Sequence, residues 1–205
     1  MAKIKLTKNE LKRQRDALKM YKRYLPTLQL KKQQLQMEIR GIEARRAELE
    51  AGKAALDREF HAWIGVFGES RAAYGADGRP LMTVERVRTG TGNIAGVEIP
   101  TFEGADFAFG EYDLYATPLW VDAALERLKR AHLLDLESDV LAVQIERLGT
   151  ELRVTSQRVN LFEKVKIPEA EEGIRRIRIY LGDEQTAQVV RGKIAKRKVI
   201  ERSSL

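Results

Sequence analysis

The sequence predicts a mainly α-helical protein: a long antiparallel two-helix coiled coil, or helical hairpin, with a small β-hairpin-containing insert between the helices. Three observations carry this. A seven-residue apolar repeat runs through the first third of the chain, a second apolar run in steps of four and three occupies the last third, and the middle is rich in glycine with two-residue alternation. Composition agrees, because 7% aromatic and 33% charged residues suit helices that bury one stripe better than a broad core. The 205 residues are expected to form a single extended domain over 1–205, with an N-terminal coiled-coil helix over 7–65, a β-hairpin and loop insert over 66–117, and a C-terminal coiled-coil helix over 118–199.

The first helix opens on a capping box, Thr7-Lys8-Asn9-Glu10. The Thr7 hydroxyl is placed to accept from the Glu10 backbone, and the Glu10 carboxylate to reach back. One heptad set is Leu11, Leu18, Leu25, Lys32, Ile39, Arg46, Lys53 and Phe60; the set three residues on is Gln14, Tyr21, Leu28, Leu35, Ile42, Leu49, Leu56 and Trp63. The second set is apolar from Tyr21 to Trp63, and so sustained a period implies a left-handed coiled coil. Pro26 interrupts it, costing a backbone bond and crowding the Lys22 carbonyl. The apolar register passes from Leu25 to Leu28 without slipping, so a bend is expected rather than a chain reversal. The other reading is a helix that stops at Tyr24 and restarts with Pro26 in its first turn.

The second helix begins near Pro118. From Leu141 its apolar points step through Ile145, Leu148, Leu152, Thr155, Val159 and Phe162. An antiparallel pairing of the two seams sets residues whose numbers add to about 184 opposite each other. Everything from about Arg178 onward then has no intramolecular partner, unless Pro168, Gly173 or Gly182 folds it back. Such a single helix is marginal in water and needs a socket. Between the helices, Val84 to Ile99 reads as a β-hairpin turning around Gly90-Thr91-Gly92-Asn93, part of a small sheet-bearing head inserted at the bend of the coiled coil.

Chemistry is sparse. The chain has no cysteine, which removes disulfides, thiolate zinc sites and cysteine nucleophiles. Gly90, Gly92 and Ala95 have the spacing of a dinucleotide fingerprint, but that motif needs a helix directly after it, and "VEIP" follows. His61 and His132 lie on different helices, with no His-x-x-x-His pair and no thiol to complete a metal site, and Ser70 and Ser138 lack a nucleophile-elbow context. No catalytic, cofactor-binding or metal-binding residue is expected. The amino-terminal stretch has no apolar core of a signal peptide, and no apolar run approaches the ~18 residues of a membrane span, so a soluble intracellular protein is expected.

Charge is the uneven property. The formal net charge is +7, yet residues 1–35 hold eleven basic and two acidic residues and residues 190–205 hold six and one, leaving 20 basic against 27 acidic between them. A helical hairpin brings the two basic ends together. Lys12, Arg13, Arg15, Lys19, Lys22 and Arg23 form either a solvated face, a protein-docking face or a phosphate-binding face. At the other end Val190 and Ile194 stand beside Arg191, Lys193 and Lys196, and apolar points with flanking charge suit a protein socket.

"LTKNELKRQRDALKMYKRYLPTLQLKKQQLQ" and "RVNLFEKVKIPEAEEGIRRIRIYL" resemble the two signature helices of the D subunit of V/A-type (vacuolar/archaeal-type) rotary ATPases and ATP synthases, most closely its bacterial branch. The resemblance covers roughly residues 5–65 and 118–198. It departs from the family at "AQVVRGKIAKRK", which lacks the aromatic pair that many relatives carry before the final basic cluster.

The resemblance implies a non-catalytic central-stalk rotor shaft without cofactors, coupling ATP turnover in a catalytic hexamer of A and B subunits to rotation of a proton- or sodium-translocating membrane ring. It implies as partners the A and B subunits, the F subunit and a connector subunit above the ring. It further implies both chain termini inside the hexamer, a short β-hairpin at mid-shaft, no nucleic acid, no direct membrane insertion, and a cytoplasmic location peripheral to the membrane. The other function classes are a basic coiled-coil protein that binds nucleic acid, and an enzyme seated on the β insert.

Overall fold

The computed structural model describes residues 5–67, 80–112, 115, 117, 118 and 120–203, with side chains left undescribed at 62–67, 201 and 203. In chain order the elements are helix α1 (Lys8–Phe67), strands β1 (Met82–Ile94) and β2 (Val97–Phe109), helix α2 (Trp120–Leu161), a π turn (Phe162–Lys166) and helix α3 (Ile167–Ser203). The last three follow one another without a gap. The chain is therefore mainly helical with an antiparallel two-stranded insert, the expected fold class. Packing sorts it into two units, one of Met1–Lys32 with Val154–Leu205, the other of Gln33–Arg153.

α1 starts where its cap predicts. The Glu10 amide donates to the Thr7 hydroxyl at 3.3 Å, and the Leu11 amide to the Thr7 carbonyl at 2.9 Å. The carboxylate half of the capping box is used differently: Glu10 accepts from Gln14 at 2.8 Å and pairs with Arg13 at 3.1 Å. Pro26 lies inside α1, so the stop-and-restart reading does not hold. Next to it the Thr27 hydroxyl donates to the Tyr24 carbonyl at 2.7 Å. The helix passes Pro168, Gly173 and Gly182 without folding back.

In the Gln33–Arg153 unit the heptad reading holds. Leu35, Ile42, Leu49 and Leu56 are all buried, while the companion positions Ile39, Lys53 and Phe60 are half-buried. Cross-helix contacts show the direction. Arg45 meets Glu137 at 3.1 Å, Arg46 meets Ser138 at 3.2 Å, Lys53 meets Asp135 at 2.6 Å, and Glu59 meets Arg127 at 3.6 Å. Higher numbers on α1 face lower numbers on α2, as an antiparallel pair must, and these partners lie within a few residues of the expected register.

Two expectations about the insert are corrected. The turn is at Ala95-Gly96, not at Gly90–Asn93: β1 and β2 pair from Met82↔Phe109 to Ile94↔Val97, with Gly90 opposite Thr101 and Gly92 opposite Ile99 inside the ladder. Ala95 (φ 52°) and Gly96 (φ 81°) are both left-handed, as a two-residue primed turn requires, and the Asn93 side chain accepts from the Gly96 amide at 3.0 Å. Gly90 serves crowding instead, since a Cβ there would come within 2.8 Å of the Thr101 hydroxyl.

The second correction concerns the hairpin's place. Its tip does not sit at the bend: Ile94, Ala95, Val97 and Ile99 pack with Leu35, Ile39 and Ile42 of α1 and Leu141, Ile145, Leu148 and Leu152 of α2, far in sequence from the end of α1 at Phe67. The hairpin thus lies along the side of the helix pair, because its apolar tip completes a core that two helices alone leave open. Gln144, itself buried, donates to the Pro100 carbonyl and Arg147 to that of Glu98, so α2 side chains satisfy backbone acceptors of β2.

In the Met1–Lys32 and Val154–Leu205 unit, Thr155, Val159, Ala170, Ile174 and Ile177 are buried. Continuing the alternation from Phe162 by steps of four and three would have placed Glu169 and Arg176 on the seam. Both are exposed, and Ala170 and Ile177 take those places. The π turn is the cause: the Ile167 amide reaches back to the Phe162 carbonyl, one residue further than in an α-helix, and everything after it is re-phased by one.

Candidate functional site

The basic residues near the start of α1 divide on inspection. Lys12, Arg15, Lys19 and Arg23 are exposed on the helix surface. Arg13 is exposed but engaged with Glu10, and Lys22 meets Glu171 of α3 at 2.7 Å. Lys22 is thus a cross-helix strut as well as a surface cation, which the linear sequence did not reveal because its partner lies 149 residues away. Exposed apolar groups accompany this face, with Met20 46%, Tyr24 54% and Leu30 56% exposed.

The end of α3 has the same mixed character in stronger form. Leu181 and Ala187 are half-buried, and the other described side chains from Gly182 to Arg202 are exposed. Val189, Val190, Ile194, Val199 and Ile200 each expose 43% or more of their surface among Arg191, Lys193, Lys196 and Lys198. At 100° per residue these five positions spread around the helix rather than along one stripe. A helix with apolar points on every side is one built to be enclosed. Between the two ends, Glu172 is gripped by Arg175 at 2.7 Å and by Arg176 at 2.8 Å. The hydrogen bonds from Arg175 and then Arg176 hold its carboxyl well below the usual range, at about 2.

The remaining sequence candidates form no constellation. Gly90 and Gly92 are strand residues and Ala95 a turn residue followed by β2, so no helix N-terminus awaits a pyrophosphate. His61 is exposed on α1 and His132 half-buried on α2. Ser138 accepts from Arg46, and Ser70 lies outside the described residues. Among the described residues there is no grouping of three or more possible metal ligands, and no helix is long and apolar enough to cross a membrane. An open cleft of about 590 Å3 beside the hairpin turn is bordered by Gly96, Val97, Val143, Glu146, Arg147, Thr150 and Glu151, and its one hydroxyl, that of Thr150, donates to the Glu146 carbonyl of its own helix.

The sequence pattern of the ATP synthase D-subunit family matches residues 10–197. The V-type ATP synthase D subunit of Borreliella burgdorferi is 49% identical over 203 residues, 99% of this chain and 98% of that protein. The corresponding protein of Chlamydia muridarum is 35% identical over 197 residues, 96% of each chain. That of Chlamydia pneumoniae is 31% identical over 204 residues, 96% of this chain and 93% of the relative.

Proposed function

Since this chain belongs to the D-subunit family of V-type ATP synthases, we propose that it is the non-catalytic central-stalk rotor axle of that complex. In this reading it couples ATP turnover in a hexamer of A and B subunits to rotation of a proton- or sodium-translocating membrane ring. It binds the F subunit and a connector subunit and stays cytoplasmic, peripheral to the membrane. The observation that carries the reading is the exposed end of α3, where Val190 (50% exposed) and Ile194 (43%) stand among cations on a helix with apolar points all round. Protein surfaces of that composition are enclosed by partners rather than solvated.

An axle needs stiffness and asymmetry, and no reacting group of its own. Long helices supply stiffness through their ladders of backbone hydrogen bonds, and the cross-helix pairs at Arg45, Arg46, Lys53 and Glu59 keep the two from sliding. Asymmetry follows from a single chain lying inside a ring of like subunits: each orientation presents a different face to each nucleotide site. A differential contact energy of about 1.4 kcal/mol shifts a site's conformational equilibrium tenfold. By linkage, the state of the site biases the axle by the same amount.

The experiment is affinity purification of the tagged chain from its source cell, followed by hydrolysis-driven rotation of a probe attached to the chain. Co-elution of the A, B and F subunits with continuous unidirectional rotation is expected. Purification with nucleic acid and none of those subunits would transfer the assignment to the nucleic-acid reading.

A further inference from the structure

In the unit formed by Met1–Lys32 and Val154–Leu205, three kinds of irregularity fall close together along the helix pair. On α1, Pro26 supplies no N–H to the Lys22 carbonyl. On the other helix the π turn Phe162–Lys166 is followed at once by Pro168, which removes a second backbone donor. The two stretches adjoin: the Tyr21 ring, just before the first, lies 5.2 Å from that of Phe162, and Lys22 reaches Glu171, just beyond the second. The third irregularity is thin packing. No side chain between Val159 and Ala170 is buried, and the apolar residues of α1 at this level, Tyr21, Leu25 and Leu28, are only half-buried.

The extra residue of the π turn is not demanded by the seam on either side. Removing any one of residues 163–165 would leave Val159, Phe162, Ile167, Ala170, Ile174, Ile177 and Leu181 in unbroken alternation of three and four, the spacing of an ordinary coiled-coil seam. What it does change is local. A widened turn has poorer backbone bonding, and one proline in each helix subtracts a further bond.

We propose that residues 22–28 of α1 and 162–168 of the second helix form one compliant joint, at which the helix pair untwists and bends reversibly while the seam beyond it, from Ala170 to Leu181, holds. Lowered backbone bonding in both helices within one short stretch, with little burial to compensate, is the physical condition for opening locally before opening globally. The aromatic contact and the Lys22–Glu171 pair keep the joint closed at rest. The mechanical use of the joint, taking up applied twist first, rests on the axle reading.

Residue-resolved hydrogen exchange on the full chain tests the joint by itself. The amides of 162–167 are expected to exchange at least about tenfold faster than those of 145–156, and also faster than those of 170–181 on the far side, giving a local minimum of protection. Protection that instead falls steadily from 145 to the end of α3 would mean fraying and overturn the joint. A variant lacking Glu163 and carrying Pro26→Ala and Pro168→Ala is expected to lose the minimum. Should it fail to fold, Pro26→Ala with Pro168→Ala alone is expected to halve it or better, and a minimum unchanged in either variant also overturns the proposal. In the assembled complex, the variant is expected to narrow the angular fluctuations of a probe on the shaft. A minimum confirmed by exchange with unchanged fluctuations leaves the joint standing and removes its mechanical role.

Discussion

Leu35 and Leu148 meet in one cluster with Ile42 and Ile99, and neither retains exposed surface. Truncation there removes contacts from both helices and the hairpin at once, so Leu148→Ala is expected to cost about 2–5 kcal/mol in denaturant titration. Leu30→Ala, at a position 56% exposed, should stay within about 0.5 kcal/mol. Equal losses at the two sites would refute the seam described above. Glu172 makes a different prediction. Its folded pKa of about 2 is depressed by Arg175 and Arg176, so its contribution to local helix order is fully present above the ordinary carboxylate value of 4.5 and is lost as pH falls through about 2. Carboxyl NMR should place its midpoint below the ordinary carboxylate range, and Arg175→Ala should raise it. The side chain keeps 39% of its surface exposed and pairs only within its own helix, so acid should loosen this turn without unfolding the chain. A midpoint near 4.5 would remove the arginine grip.

At the scale of the element, the hairpin turn separates backbone strain from steric crowding. A Cβ at Gly96 would meet nothing within 4 Å, so Gly96→Ala loses only what its φ of 81° costs an L-residue, about 1–2 kcal/mol. Gly90→Ala has no such φ, yet its new methyl would press on Thr101 and Glu103. Stability of the hairpin's contact with α2, read from exchange at the Ile99 amide, is expected to fall in both. Thr101→Ala should partly rescue Gly90→Ala and leave Gly96→Ala unimproved. Rescue of both, or of neither, would mean that the two glycines do not play the separate roles assigned here.

For the whole molecule the basic ends carry the test. Reversing Arg191, Lys193 and Lys196 to Glu together is expected to weaken assembly with the A and B subunits by about tenfold or more, or to uncouple hydrolysis from rotation, while the helix pair stays folded and the F subunit stays bound. The paired cations Arg13 and Lys22 are poorer targets, since substituting them also breaks contacts to Glu10 and Glu171. Should the unmodified chain bind duplex DNA near physiological salt as tightly as it binds the hexamer, with a steep salt slope that the triple reversal abolishes, the docking role of these residues is wrong.

Periodicity was enough to read both long helices, the buried positions Leu35, Ile42, Leu49 and Leu56, and the antiparallel register, because a heptad is a statement about which side of a helix leaves water. The two-stranded nature of the insert was likewise legible in its residue types and spacing. The hairpin's turn was misplaced because Gly-Thr-Gly-Asn has the composition of a turn, whereas Ala95-Gly96 wins through strand register and the Asn93 side chain, which only pairing with β2 reveals. The π turn escaped for a related reason: one extra residue in a charged stretch leaves no compositional mark and shows only as the re-phasing that buries Ala170 and Ile177 in place of Glu169 and Arg176. Where the hairpin lies, and which cations are already paired, depend on contacts between residues 44 to 149 positions apart. Local pattern determines what each segment can form; the competition for a shared apolar core, settled only when distant segments meet, determines where each one rests.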